Sequence, residues 1–187
     1  MRNEPNIDQL NELIERAKMG NVNAFTSIVN MHQQYAYAVA FKFLCDEENS
    51  KDVVQESFIR IWKHIADYNQ KSKFTTWMYK IVVNLCYDKL RRIKRQNHII
   101  ELSIDNLDVL ANDDNPELKL SNKDIAGLII KISEYLSEKQ RIVFVLRDLE
   151  ELSINEVTEI TGMSESSVKT NLIYARKKIK EKLIRMV

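Results

Sequence analysis

The chain has 187 residues and a formal net charge of +1, a length that suits one domain or two small ones. Three glycines and two prolines leave few positions that break a helix, so the composition favours an all-α fold. Cys45 and Cys86 are too few for a disulfide scaffold or a zinc cluster, and the longest apolar run, 142–146, is too short to cross a membrane. We therefore expect no metal, no cofactor and no membrane insertion. No apolar signal segment opens the chain, so we expect a cytoplasmic protein.

The first half of the chain is predicted to form four amphipathic helices, because apolar residues recur at three- to four-residue spacing. Gly20 ends the first helix, and the second ends near Cys45. The expected starts of the second, third and fourth helices are Asn23, then Asn49 or Ser50, then Thr75 or Thr76. No second ligand lies at metal-binding distance in sequence from His32, so we expect this histidine to be packed or half-exposed rather than a metal ligand.

The third helix carries a stripe on its outer face that mixes acids, an amide and large apolar groups: Asp52, Gln55, Glu56, Ile59 and Trp62. A tryptophan on such a face indicates contact with another protein. The alternative is that Trp62 covers the edge of its own domain.

Aromatic and basic side chains are interleaved around the start of the fourth helix: Tyr68, Lys71, Lys73, Phe74, Trp77, Tyr79 and Lys80. Such a mixture can stack on unpaired bases while it holds phosphates. The alternative is that Phe74 and Trp77 are core residues, and we expect this of at least one of them. A block of five basic residues without an acid follows at 89–95.

The middle of the chain is acidic and lacks a helical period. Residues 98–124 hold seven acidic and two basic side chains, and Asn115-Pro116 is a turn signal. This composition predicts a flexible acidic linker at 98–121 between an N-terminal domain at 1–97 and a C-terminal domain at 122–187.

The last part of the chain has the pattern of a helix-turn-helix. Ser137 with Gln140 and Ser153 with Glu156 are capping boxes, Gly162 suits the turn, and Ser164 caps the last helix. That helix has a regular apolar face, and its remaining face carries seven cations and two acids: Lys169, Arg176, Lys177, Lys178, Lys180, Lys182 and Arg185, against Glu165 and Glu181. Such a helix fits a DNA major groove, the alternative being a solvated surface helix.

Several segments taken together resemble bacterial sigma factors of the sigma-70 family. Residues 52–62 (DVVQESFIRIW), 74–84 (FTTWMYKIVVN) and the LRR at 90–92 resemble the first conserved domain of that family. Residues 136–146 and 153–176 resemble the last domain. Two domains with a short link are typical of the extracytoplasmic-function (ECF) subfamily.

The resemblance implies a promoter-specificity subunit of RNA polymerase that has no enzymatic activity and no small-molecule substrate. Core polymerase would bind the stripe Asp52, Gln55, Glu56, Ile59 and Trp62. The melted −10 element would contact Tyr68, Lys71, Lys73, Phe74, Trp77, Lys80, Asn84, Arg91 and Arg92. The duplex −35 element would contact Ser166, Lys169, Thr170, Ile173, Tyr174, Arg176 and Lys177.

The family also implies an anti-sigma factor as a further partner, and a link that threads toward the polymerase active centre. The acidic segment of this chain matches that link, and the alternative is a linker that only keeps the chain soluble. Thr158 and Asn171 depart from the usual small and basic residues of the family at their positions. A polymerase-independent helix-turn-helix regulator is the alternative function, but such a protein has no use for the stripe from Asp52 to Trp62.

Overall fold

The computed structural model describes residues 7–103 and 122–186, and this part of the chain is helical without a strand. The helices are α1 (Ile7–Lys18), α2 (Val22–Leu44), α3 (Glu47–His64), α4 (Phe74–Ser103), α5 (Asn122–Ile132), α6 (Glu138–Phe144), α7 (Ile154–Thr161) and α8 (Glu165–Met186). Short 3-10 turns follow α3 and α5, and a π-helical turn, Val145–Leu149, continues α6. The all-α fold is confirmed. Most of the predicted linker, 104–121, lies outside the described residues.

Helices α1–α4 form the N-terminal module, in which α2 packs against each of the other three. Its core consists of fully buried apolar side chains, among them Ile14, Ile28, Phe43, Ile61, Met78 and Val82. Burying each large side chain stabilises the fold by about 1.5 to 3 kcal/mol. Helix α4 continues through Ser103, past residue 98, where we expected the linker to begin.

Three helices start before the residues we expected, and of these α4 does so by a single residue, at Phe74. The N-cap of α2 is Asn21, whose side chain accepts from the Ala24 amide at 3.0 Å, and the prediction of Asn23 is wrong. The N-cap of α3 is Asp46, whose carboxylate accepts from the Asn49 amide at 2.7 Å. The prediction of Asn49 or Ser50 is wrong because Ser50 is fully buried inside the helix.

Helices α5–α8 form the C-terminal module, whose helix ends follow the sequence signals. Both capping boxes are present, at Ser137 with Gln140 and at Ser153 with Glu156. Gly162 ends α7 in the left-handed conformation, with φ of 70°. The hydroxyl of Ser164 accepts from the Ser167 amide at 3.2 Å at the start of α8.

The two modules pack against each other, and α7 lies on α4. Lys42 of α2 pairs with the buried carboxylate of Glu150 at 2.5 Å. The guanidinium of the buried Arg141 donates to the Cys45 sulfur at 3.0 Å. Burial raises the pKa of the Cys45 thiol to about 11, so the sulfur stays a neutral acceptor.

Candidate functional site

An apolar groove of about 1060 Å³ lies on the N-terminal module between α2 and α3. Its walls include Val22, Phe25 and Val29 on α2, and Val54, Ile59 and Trp62 on α3. Val22 and Ile59 are 63% and 42% exposed, so the groove is open to a partner. Concave apolar surfaces of this kind hold protein or peptide side chains.

Three of the five stripe residues of α3, Gln55, Ile59 and Trp62, line this groove. Trp62 also packs on Phe25, with ring centroids 4.8 Å apart. Trp62 therefore covers part of its own module and also forms part of the groove wall, and its contact with another protein stays a prediction.

The acids of the stripe lie beside the groove, and α2 supplies its other wall. Asp52 accepts from Lys89 at 3.4 Å and Glu56 pairs with Arg60 at 2.9 Å. The sequence reasoning missed the α2 wall, although Val22, Phe25 and Val29 stand at the spacing of one helix face.

The predicted base-stacking residues form a compact aromatic cluster where the loop before α4 meets that helix. Tyr68, Phe74 and Trp77 have ring centroids 5.3 to 5.8 Å apart. Tyr68 and Phe74 are buried, whereas Trp77 is half-buried. The core role is therefore confirmed for Phe74, as expected of at least one of these rings.

The polar residues predicted to contact the melted strand surround this cluster. Lys71, Lys73, Lys80 and Asn84 are exposed. Lys80 and Asn84 follow Trp77 at three and seven residues, so the three lie on one face of α4. A ring, an ammonium and an amide on one face can stack, hold a phosphate and hydrogen-bond a base edge.

Two exposed arginines extend this surface along α4. Arg91 lies over the Tyr87 ring at 5.7 Å and is 3.8 Å from a carboxylate oxygen of Glu138 in the C-terminal module. Arg92 is exposed. The pKa of Tyr87 is raised to about 12, mainly because the ring is partly buried and secondly because of the negative charge of Glu138.

The cluster also meets the C-terminal module. Lys73 donates to Glu156 of α7 at 3.2 Å. Burial raises the pKa of Tyr68, and the charge of Glu159 on α7 raises it further. In this arrangement the loop before α4 therefore lies against the first helix of the helix-turn-helix.

All the residues predicted to contact duplex DNA are exposed on α8: Ser166, Lys169, Thr170, Ile173, Tyr174, Arg176 and Lys177. Ile173 and Tyr174 are 66% and 54% exposed, which is unusual for apolar residues of a packed helix. The opposite face, with Val168, Leu172, Ala175 and Ile179, is buried. The segregation of the two faces is as the sequence predicted.

The two departures from the family pattern are accommodated within their own helices. The Thr158 hydroxyl donates to the Asn155 carbonyl at 2.7 Å. The Asn171 amide donates to the Ser167 carbonyl at 2.8 Å. Neither side chain disturbs the packing of α7 on α8.

Within residues 7–103 and 122–186, no group of three or more His, Cys, Asp or Glu side chains could hold a metal ion. In the same part of the chain, no helix combines the length and the apolar character that crossing a membrane requires.

Two packed helical modules, one with an apolar groove and one with an exposed basic helix in a helix-turn-helix, define a DNA-binding protein that also docks on another protein. Family models match both modules: Sigma-70 region 2 at residues 28–96 and Sigma-70 region 4 at residues 126–179. The chain belongs to the sigma-70 family, in its ECF subfamily.

Curated relatives match along most of their length. The ECF RNA polymerase sigma factor SigW of Bacillus subtilis is 27% identical over 177 residues, which are 91% of this chain and 94% of the relative. The ECF RNA polymerase sigma-E factor of Haemophilus influenzae is 28% identical over 177 residues, or 91% and 93%. The relatives match across both modules and are sigma factors, so the alternative of a polymerase-independent regulator is not supported. Sigma factors act by binding, and the chain is not an enzyme.

Two solved structures share the fold. CnrH in complex with the cytosolic domain of CnrY has a TM-score of 0.69 at 23% identity and covers 97% of this chain and 100% of that one. The sigma factor RpoE in complex with the anti-sigma factor NepR from Bartonella quintana has a TM-score of 0.65 at 19% identity, with 85% and 96% covered.

Proposed function

We propose that this chain confers promoter specificity on core RNA polymerase, binding the polymerase through the N-terminal module and promoter DNA through both modules. The observation that carries the proposal is the presence, in one chain, of the α2–α3 groove and the exposed basic face of α8. A regulator that acts alone needs only the second surface.

The groove and the acids beside it are the proposed polymerase surface. Ile59 and Trp62 offer apolar contacts, Gln55 a hydrogen-bonding amide, and Asp52 and Glu56 a charged rim. An apolar centre with a polar rim is the usual composition of a protein interface. The acidic rim favours a basic partner surface and speeds its encounter.

The aromatic cluster and its cations are the proposed −10 surface. Extruding a base costs a few kcal/mol, and stacking on an aromatic ring returns about 1 to 3 kcal/mol per base. Trp77 supplies the accessible ring, packed on the buried Tyr68 and Phe74, while Lys71, Lys73, Lys80, Arg91 and Arg92 hold the strand. Asn84 offers a donor and an acceptor to one base edge.

The exposed face of α8 is the proposed −35 surface. Lys169, Arg176 and Lys177 approach phosphates or base edges, and Ser166 and Thr170 add hydroxyl contacts. Ile173 and Tyr174 are placed to contact thymine methyl groups.

The location and the remaining partners follow from this function. The protein acts in the cytoplasm, where polymerase and promoters are, and an anti-sigma factor is a further partner. The two solved structures with the same fold each hold a second protein, and this supports the proposal. We place the domains at 1–97 and 122–187 and the linker at 98–121, so the end of α4, at Ser103, extends into the first residues of this linker.

The test is capture of core polymerase by the purified chain, followed by run-off transcription over a promoter library. Ile59→Asp should weaken capture at least about tenfold, because a charge buried in an apolar contact costs more than 1.4 kcal/mol. Folding should be unaffected, since Ile59 is 42% exposed.

The matched control is Ile7→Asp, which changes an isoleucine that is 69% exposed at the start of α1 and outside the groove. This variant should capture polymerase as the wild type does. Equal capture by Ile59→Asp and Ile7→Asp would reject the groove as the docking surface. A folded wild-type chain that directs no specific initiation would reject the function.

A further inference from the structure

The guanidinium of Arg176, on α8, is held by a residue outside that helix. Its Nε donates to Asp148 Oδ2 at 2.8 Å, and its Nη2 donates to Asp148 Oδ1 at 2.6 Å. The other ion pairs described for α8, Lys169 with Glu165 and Lys177 with Glu181, lie within the helix. Arg176 is therefore fixed from a second element, although its own side chain is 59% exposed.

Asp148 stands in the π-helical turn, which is anchored on both sides. The Glu150 amide donates to the Val145 carbonyl at 2.9 Å, an i to i+5 bond that rotates the chain relative to a continuing α-helix. Arg147 donates to the Leu152 carbonyl, and the buried carboxylate of Glu150 pairs with Lys42. The Asp148 carboxylate, 20% exposed, therefore projects from a turn that is held in place.

The two-point contact leaves a defined set of donors on Arg176. A guanidinium carries five N–H donors in one plane. Asp148 occupies the edge formed by Nε and Nη2, so the edge formed by Nη1 and Nη2 remains open. That edge carries two parallel N–H groups, which match two neighbouring acceptor atoms.

We propose that Asp148 is a positioning residue for promoter reading, which orients Arg176 so that its open edge donates to two neighbouring acceptors of duplex DNA. This inference rests on the proposed function of α8. Guanine O6 with N7, or two oxygens of a phosphate, offers such a pair of acceptors. Charge alone would act in the opposite direction, because a carboxylate near DNA repels phosphates.

The decisive variant is Asp148→Glu, which keeps the charge and displaces the carboxylate by one methylene. Full-length chain assembled with core polymerase is titrated onto promoter duplexes. We expect binding about 2- to 12-fold weaker, the range that corresponds to immobilising one side chain with many rotamers. Glu181→Asp, which moves a carboxylate of α8 itself by one methylene without touching Arg176, should bind as the wild type does.

Two further measurements distinguish a guanine from a phosphate as the group that Arg176 contacts. A guanine contact predicts that the loss is confined to duplexes with the contacted G·C pair, and that replacing this guanine by 7-deazaguanine abolishes the difference between wild type and variant. A phosphate contact predicts an equal loss on all −35 variants and a salt slope reduced by about 0.9.

The proposal is overturned if Asp148→Glu binds as the wild type does, or if it loses the same factor in an Arg176→Ala background. Circular dichroism and thermal unfolding establish that the variant folds. Asp148→Asn is the second variant, of unchanged shape, and should weaken promoter binding even though it removes a negative charge near the DNA. Binding by this variant as tight as that of the wild type, or tighter, would also overturn the proposal.

A readout on the free chain separates this inference from the proposed function. Exchange of the Arg176 Nε proton, followed by NMR, should be slowed in the wild type and fast in Asp148→Glu. Equal exchange rates would overturn the positioning role. A wild-type holoenzyme that selects no promoter rejects the proposed function and leaves the exchange result standing.

Discussion

His32 is packed in the core of the N-terminal module, an environment that the sequence allowed. Only 5% of it is exposed, its ring lies 5.5 Å from that of Phe74, and its Nε2 has no hydrogen-bond partner among the described residues. Burial lowers its pKa from the ordinary value of 6.5. The sequence predicted a packed or half-exposed histidine, because no second ligand stands near it in the chain, and the structure shows the packed one.

This burial makes the stability of the protein depend on pH. The unfolded chain binds a proton at His32 below pH 6.5, while the folded chain resists it. The neutral, buried His32 therefore makes its full contribution to the free energy of unfolding above pH 6.5. As the pH falls below that value, the free energy of unfolding decreases by up to about 1.4 kcal/mol per pH unit. Urea unfolding between pH 7.5 and 5 should show this slope, and His32→Gln should reduce it.

His64, which is exposed on α3 and lies 3.3 Å from Asp67, provides the control. His64→Gln should still lose stability toward low pH, because this change leaves the burial of His32 as it is. If His32→Gln retained the full slope, other groups would have to carry the dependence.

At the scale of single helices, the sequence predicted the ends that are set by local hydrogen bonds. The boxes at Ser137 and Ser153 and the turn at Gly162 each depend on residues within four positions. The predicted start of α3 was wrong because several polar residues in 46–50 could cap a helix. Packing decides among them, since Ser50 is buried and Asp46 is exposed.

The π-helical turn was not predicted, for a related reason. Residues 142–149 have an apolar pattern that suits a continuous α-helix. The wider turn is favoured by contacts to other elements, such as those of Glu150 with Lys42 and Asp148 with Arg176. Partners at such sequence distances leave no local signal.

Gly162→Ala should destabilise the protein by about 1 to 2 kcal/mol, because φ at this position is 70° and a Cβ is strained there. The added methyl group itself would meet no atom within 4 Å, so the cost is purely one of the backbone. Chemical denaturation followed by circular dichroism measures it.

Gly127→Ala is the control of opposite sign. Gly127 lies within α5, its φ is not positive, and the added Cβ also meets nothing within 4 Å. Alanine should stabilise this helix by about 0.4 to 1 kcal/mol. Equal effects at the two glycines would contradict the backbone explanation.

At the scale of the whole molecule, the contact between the modules is the feature that the sequence did not predict. Glu138, Glu150 and Glu156 pair with Arg91, Lys42 and Lys73 of the other module, and the sequence analysis predicted none of these pairs. Each module was recognisable from its own periodicity and caps. Their relative placement depends on pairs of residues that are separated by 47 to 108 positions.

The effects of replacing Lys42 and Glu150 on the free energy of unfolding should not be additive, because each charge stabilises the other. Removing Lys42 leaves a buried carboxylate unpaired, whereas removing both charges does not. A double-mutant cycle with Lys42→Met and Glu150→Gln should give a coupling of about 1 to 3 kcal/mol in unfolding free energy. The Glu150 side chain is 5% exposed, which supports a value in this range.

The exposed pair of Lys51 with Glu47 is the matched comparison, since both of its side chains are more than 60% exposed. Its coupling should be clearly smaller than that of Lys42 with Glu150, because both charges stay in water and are screened. Equal couplings in the two cycles would show that the module contact adds nothing beyond a surface pair.

Glu156 serves two neighbours at once. It closes the first turn of α7 with Ser153 and also accepts from Lys73. Burial alone would raise its pKa, but the hydrogen bonds from Ser153 and then Lys73 outweigh burial and lower it. The Ser153–Glu156 bonds lie within α7 and do not need Lys73. The start of α7 should therefore stay closed if, as proposed, Lys73 binds a strand of nucleic acid instead of Glu156.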